Sequence, residues 1–120
     1  AAMDVFTYLK ERVAACIAVG MVRGRIVIDP GIGFGKTLDH NLDILARLDM
    51  YRDFDCPVLL GASRKTFIGK LDGDAAPDNH LGGSLAAVLA AAARGVRLFR
   101  GHDVAETRQA LAVWRAIEKN

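Results

Sequence analysis

Arg25-Ile26-Val27-Ile28-Asp29-Pro30-Gly31-Ile32-Gly33-Phe34-Gly35-Lys36 is the stretch that decides how this chain is read. A short β-branched run ends in a carboxylate, and a glycine-rich loop begins at once. Ile26, Val27 and Ile28 show no polar alternation, which predicts a strand buried on both faces, as in parallel sheets. Asp29 then stands at the carboxyl end of that strand, where α/β folds place their ligands. Gly31, Gly33 and Gly35 lack a Cβ, so a flat ligand or a phosphate can come close to the backbone. The stretch predicts a binding loop.

Working outward, two more apolar runs read as buried strands. Pro57 opens Val58-Leu59-Leu60, which ends at Gly61, and Val96-Arg97-Leu98-Phe99 finishes at Arg100. Val5, Tyr8, Leu9, Val13, Cys16 and Ile17 recur at helical spacing and predict a helix over 4–19, stopped by Gly20. A second helix is expected over 39–48, with Leu42, Leu45, Ala46 and Leu48 facing inward. The alanine-rich segment 82–94 predicts a third, apolar nearly all round and ended by Gly95. The fourth spans 104–118 and turns Leu111, Val113, Trp114 and Ile117 inward. Residues 62–66 and the polar stretch 72–80 read as loops, with His80 an exposed loop residue.

The resulting order is αβαβαβα, with strand-to-strand steps of about 30–40 residues, as in successive βα units of a parallel sheet. A complete (β/α)8 barrel takes about 200–250 residues, so three strands fall well short of one. They also leave two open sheet edges, which native proteins normally cover. The expectation is therefore an α/β fold, the C-terminal part of a (β/α)8 TIM barrel, with residues 1–120 in one unit and no second domain. A free-standing three-layer α/β domain is the alternative.

Bulk properties narrow the partners. The 120 residues are 52% hydrophobic and 25% charged, which suits a globular domain. A net charge of +2, with no Lys/Arg run and no interleaved aromatics, gives no footprint for nucleic acid. The longest apolar run, 85–93, is too short to span a bilayer. Asp4, Lys10, Glu11 and Arg12 near the start do not resemble a signal-peptide core, so a cytoplasmic location is expected. Cys16 and Cys56 have no metal-ligand spacing and read as reduced packing residues.

Each strand delivers polar groups at its carboxyl end: Asp29 with the glycine loop, then Ser63-Arg64-Lys65, then Arg100 and His102. Taken singly, Asp29 could be a turn former, Lys65 a solvated lysine, and His102-Asp103 a cap for the last helix. In a parallel sheet the three ends lie side by side, and the coincidence predicts one site. A strand-end carboxylate can accept paired N–H bonds from a planar, amidine-like ring edge. Arg100 and His102 can clamp an anion beside the start of the last helix. A heteroaromatic ring carrying a phosphate would suit both ends.

The motifs Asp29-Pro-Gly-Ile-Gly-Phe-Gly-Lys36, Gly61-Ala-Ser-Arg-Lys65 with Ile68-Gly69, Gly83-Ser84-Leu85-Ala86 and Arg100-Gly-His-Asp103 together resemble the dihydropteroate synthase family over essentially the whole chain. That resemblance implies condensation of 6-hydroxymethyl-7,8-dihydropterin diphosphate with p-aminobenzoate, releasing pyrophosphate with help from magnesium. It implies that Asp29 binds the aminopyrimidine edge of the pterin and Lys65 contacts it from the other side. Phe34, Ser63, Arg64 and Thr66 fall at the aminobenzoate pocket, and sulfonamide-like analogues would enter there. Gly61 belongs to the substrate-binding set, and Arg100 and His102 match the pair on the departing diphosphate, so Lys65, Arg100 and His102 are the catalytic candidates. The resemblance also implies a homodimer built on the late helices. No metal ligand is expected within this chain; magnesium ligands, and the rest of the pocket, are expected in an absent N-terminal part, leaving the isolated chain with negligible turnover.

Two departures stand out against that pattern. Gly101 replaces a common β-branched residue between the arginine and the histidine, and Asn79-His80 replaces an arginine often found before the Gly-Ser-Leu-Ala segment. A related barrel transferring methyl groups from methyltetrahydrofolate to a corrinoid is the alternative enzyme. A non-catalytic binding or oligomerisation module is the alternative outside catalysis.

Overall fold

Parallel pairing of three segments organises the chain in the computed structural model. The described residues are 2–33, 37–61, 66–73 and 80–120, with nothing stated of the Thr66 side chain. Ile28 forms a parallel bridge with Val58. Strand β1 (Leu59–Leu60) pairs in parallel with β2 (Leu98–Phe99), Leu59 opposite Leu98 and Leu60 opposite Phe99. Leu59 N–H donates to the Ile28 carbonyl at 2.8 Å, and Arg100 N–H donates to that of Leu60 at 2.9 Å. The segments therefore stand side by side in chain order, as the expected βα repetition requires.

The first segment departs from expectation. It contributes a single bridge instead of a three-residue strand, and it is not buried on both faces. Ile26 and Ile28 are buried whereas Val27 is 53% exposed. Side chains alternate along a strand, and partners opposite each other in register share a face. Ile28, Val58, Leu60 and Phe99 thus form the face packed on the helices. Val27, Leu59 and Leu98 form the other, where Leu98 is 40% exposed. Asp29, Gly61 and Arg100 continue that second face at its carboxyl edge.

The helices lie against the first face. Helix α1 (Ala2–Ala18) packs Val5, Phe6, Leu9, Val13, Cys16 and Ile17 towards the core. Tyr8, counted in the helical spacing, lies off that stripe and is 62% exposed. Thr37 caps α2 (Leu38–Ala46), its Oγ1 accepting the His40 N–H at 3.2 Å. Helix α2 stops short of 48 because a 3-10 helix, Leu48–Phe54, takes over. Leu48, Tyr51 and Phe54 are all buried there, at the three-residue period in which 3-10 side chains line up. Phe6, Tyr51 and Phe54 form an aromatic cluster with ring centroids 5.1–5.5 Å apart. The inner face of α2 is Asn41, Ile44 and half-buried Leu45, while Leu42 and Ala46 are exposed.

Helix α3 (Thr66–Leu71) begins inside the segment read as a loop; the rest of that segment, 62–65, lies outside the described residues. Its Phe67 and Ile68 are buried. Ile68 packs on Gly83 of α4 (Leu81–Ala93), where a Cβ would stand 2.4 Å from Ile68 Cγ2. A β-branched side chain has little freedom to yield, so the helices approach this closely only over glycine. His80, expected exposed, is buried at the start of α4 with its carbonyl accepting the Ser84 N–H at 2.9 Å. Helix α5 (Val104–Glu118) rests mainly on α4 through Leu111, with Trp114 half-buried. Val113 and Ile117, expected inside, are 56% and 65% exposed. They lie about 200° and 240° round the helix from Leu111, beyond a stripe facing one neighbour.

At the carboxyl ends of α2 and α4, two arginines satisfy leftover carbonyls. Arg52 donates to Ala93 and Arg94 at 3.1 and 3.2 Å, and Arg94 donates to Ala46 and Ala90 at 3.1 and 2.9 Å. Both cysteines are free thiols, and no described helix is long and apolar enough to cross a membrane.

Burial pushes the Tyr51 hydroxyl up to about 12. The ordinary tyrosine value is about 10, so the folded state holds this proton more tightly than the unfolded chain does. The associated stability is complete below about pH 10 and drains away as the pH rises towards about 12. Alkaline titration should show tyrosinate absorbance from Tyr51 rising together with loss of helical circular dichroism, and Tyr51→Phe should delay that unfolding.

Candidate active site

The glycine loop is held from three directions. Asp29 Oδ1 accepts the Gly31 N–H at 2.8 Å, folding the carboxylate back over its own loop. Ile32 is 2% exposed and anchors the loop in the core between two glycines. Gly31 and Gly33 have φ of 76° and 91°, left-handed values that glycine adopts without steric cost. Gly33 N–H donates to Asn41 Oδ1 at 2.9 Å. Asn41 itself is buried, so its side chain is committed to the loop.

Asp29 meets Arg100 across the strand tips, with 3.7 Å between Asp29 Oδ2 and Arg100 Nη2. Both side chains are partly exposed, so this pair contributes at most about 1 kcal/mol to stability. Its significance is positional. The Arg100 guanidinium lies over Gly61, where a Cβ would meet Nη2 at 2.7 Å and Cζ at 3.2 Å. A cavity of about 360 Å³ lies between β2, α4 and α5, with Arg100 at its edge beside Val88, Leu98, Gly101 and Leu111. A separate apolar cavity of about 540 Å³ lies between α2, α3 and α4, on the helical side and away from the tips.

Of the residues singled out from the sequence, Asp29, Gly61 and Arg100 are thus brought together on one face. His102 lies exposed in the bend between β2 and α5, two residues before the first turn of that helix. Phe34, Ser63, Arg64 and Lys65 lie outside the described residues, as does the side chain of Thr66. Chemically, the described part offers a carboxylate for donors, a guanidinium for anions, and backbone that a planar ligand can approach. Sequence reasoning missed Asn41. Its signal was available: an amide four residues after the Thr37 cap, in register with Ile44 and Leu48 on the buried stripe.

The protein family described as pterin binding enzyme matches residues 1–102. This chain belongs to the pterin-binding enzyme family. Its relatives agree among themselves. Dihydropteroate synthase of Neisseria meningitidis serogroup C is 48% identical over 120 residues, covering 98% of this chain and 42% of the relative. The Escherichia coli K12 dihydropteroate synthase is 42% identical over 113 residues, covering 94% of this chain and 40% of that protein. Among solved structures, dihydropteroate synthase from Xanthomonas albilineans in complex with 7,8-dihydropteroate superposes with a TM-score of 0.92 at 45% identity, over 97% of this chain and 46% of that one. The Yersinia pestis dihydropteroate synthase with a sulfonamide drug complex gives 0.91 at 35% identity, over 98% and 42%. The chain spans less than half the length of these relatives.

The Asn41–Gly33 contact makes a direct prediction for this chain. Asn41→Leu leaves the Gly33 N–H without its acceptor, a loss of about 1–3 kcal/mol, whereas Asn41→Asp keeps the acceptor. Hydrogen exchange of the Gly33 amide should quicken about tenfold or more in the leucine variant and much less in the aspartate one.

Proposed function

We propose that this chain supplies the pterin- and diphosphate-binding strand tips of a dihydropteroate synthase, as the C-terminal portion of its (β/α)8 barrel. The observation carrying this reading is the convergence of Asp29 and Arg100, 3.7 Å apart on one face of a parallel sheet. A substrate with an amidine-like ring edge at one end and a diphosphate at the other needs an acid and a guanidinium at such a separation of roles. A methyl transfer from methyltetrahydrofolate has no diphosphate to receive, so Arg100 favours the synthase over that alternative.

In the reaction, the amine of p-aminobenzoate attacks the methylene carbon attached to C6 of the dihydropterin. The C–N bond forms as the C–O bond breaks; the electron pair leaves with pyrophosphate, and the amine loses a proton to solvent. Asp29 orients the pterin through its aminopyrimidine edge, and Lys65 meets the ring from the opposite side. Arg100 and His102 take up charge growing on the departing diphosphate, a contribution that exists in the transition state more than in the ground state. Phe34, Ser63, Arg64 and Thr66 bound the aminobenzoate, and sulfonamide-like analogues compete there.

Magnesium is part of the proposed reaction by resemblance to the family. Among the described residues no three His, Cys, Asp or Glu side chains converge, and no step here is routed through the ion. A cytoplasmic homodimer completes the proposal; the exposed Val113 and Ile117, about 40° apart round α5, support its homodimeric part.

Pterin fluorescence offers the test. Titrating the chain with 6-hydroxymethylpterin should give saturable quenching, and Asp29→Asn should weaken it about tenfold or more through loss of a charge-assisted pair. Equal affinity of the two proteins would show that Asp29 does not read the ring edge and would remove the basis of the proposal.

A further inference from the structure

Gly61 poses a question that its own backbone does not answer. Its φ lies outside the left-handed range, unlike those of Gly31, Gly33 and Gly95, so an L-residue could adopt the conformation. The position is also buried at the end of β1, where strand-forming side chains would ordinarily gain from packing. What a side chain would have to displace is the tip of Arg100. A Cβ at 61 would stand 2.7 Å from Nη2, 3.2 Å from Cζ and 3.2 Å from Nε of that guanidinium. Other glycines show the contrast, since a Cβ at Gly24 or Gly82 would meet nothing within 4 Å.

We infer that Gly61 is a positioning residue, the seat that holds the Arg100 guanidinium over the strand tips and within reach of Asp29. Strand register makes the seat possible. Leu60 pairs with Phe99, so Gly61 and Arg100 follow as neighbours on the face shared with Asp29. The Arg100 N–H to Leu60 carbonyl bond, at 2.9 Å, fixes the base of the arginine beside that seat. A methyl group at 61 would displace the outer guanidinium nitrogen without altering either strand. Gly61 therefore acts on a ligand through Arg100 and not by touching it. That the ligand is a diphosphate rests on the function proposed above; the seat itself does not.

The test uses inorganic pyrophosphate titrated calorimetrically into the 120-residue chain. G61A should weaken pyrophosphate about tenfold, the scale of a misplaced charged hydrogen bond. R100K carries a cation without the Nη2 atom that the new methyl would strike, so G61A/R100K should match R100K within about twofold. An equal loss from G61A in both backgrounds, or none in the wild-type background, overturns the inference. A second measurement needs no variant: nuclear Overhauser contacts between the Gly61 α-protons and the Arg100 side chain in the wild-type chain. Their absence overturns the seat. Their presence in a chain that does not bind pyrophosphate upholds the seat and places the failure on the diphosphate reading.

Discussion

The parallel register linking Ile28, Val58, Leu60 and Phe99 is the constraint on which the rest depends. These four side chains share the face that packs against the helices. Asp29, Gly61 and Arg100 each follow one of them directly in the chain, so each must point the opposite way. A slip of one residue would exchange the faces, burying the acid and the guanidinium and exposing three core residues. Burial of Ile28 and Leu60, at 2% and 1% exposure, makes that slip prohibitive. The polar chemistry is therefore aligned by hydrocarbon packing on the other side of the sheet.

Magnitudes support this order of causes. Each ladder hydrogen bond contributes about 1 kcal/mol net, and the paired strands are only two residues long. Each fully buried Ile or Leu contributes about 1.5–3 kcal/mol, and Ile28, Ile32, Ile44, Leu48 and Leu60 are all of that kind. The sheet is held in place by its helices more than by its own ladder. The Asp29–Arg100 pair, long and partly exposed, adds little to stability and is placed by the fold instead of placing it.

Much of this was legible in the residues. Helical periodicity located α1, α2, α4 and α5 to within a few positions, and the punctuating Gly20, Pro57 and Gly95 marked where they and the strands give way. The strand-end motifs pointed to Asp29, Gly61 and Arg100, which meet. Elements with short or unusual periods were not visible. The 3-10 helix Leu48–Phe54 repeats every three residues, and α3 has only six, too few for a stripe to emerge. Burial also depends on how many neighbours a helix has, which a periodic pattern does not report. Val113 and Ile117 are exposed because α5 leans chiefly on one helix, and His80 is buried at the N-cap of α4. Val27 read as core because an apolar residue looks the same in sequence whichever face of a strand it occupies.

The arginine clamps of Arg52 and Arg94 lie where α2 and α4 end, which in a βα arrangement is the pole opposite the strand tips. Foundation and chemistry are thereby kept at separate ends of the unit. Loops at the upper pole can be lengthened, shortened or grafted without disturbing the guanidinium–carbonyl lattice underneath. Such a division leaves the scaffold free to explore new ligands while its thermal robustness is set elsewhere.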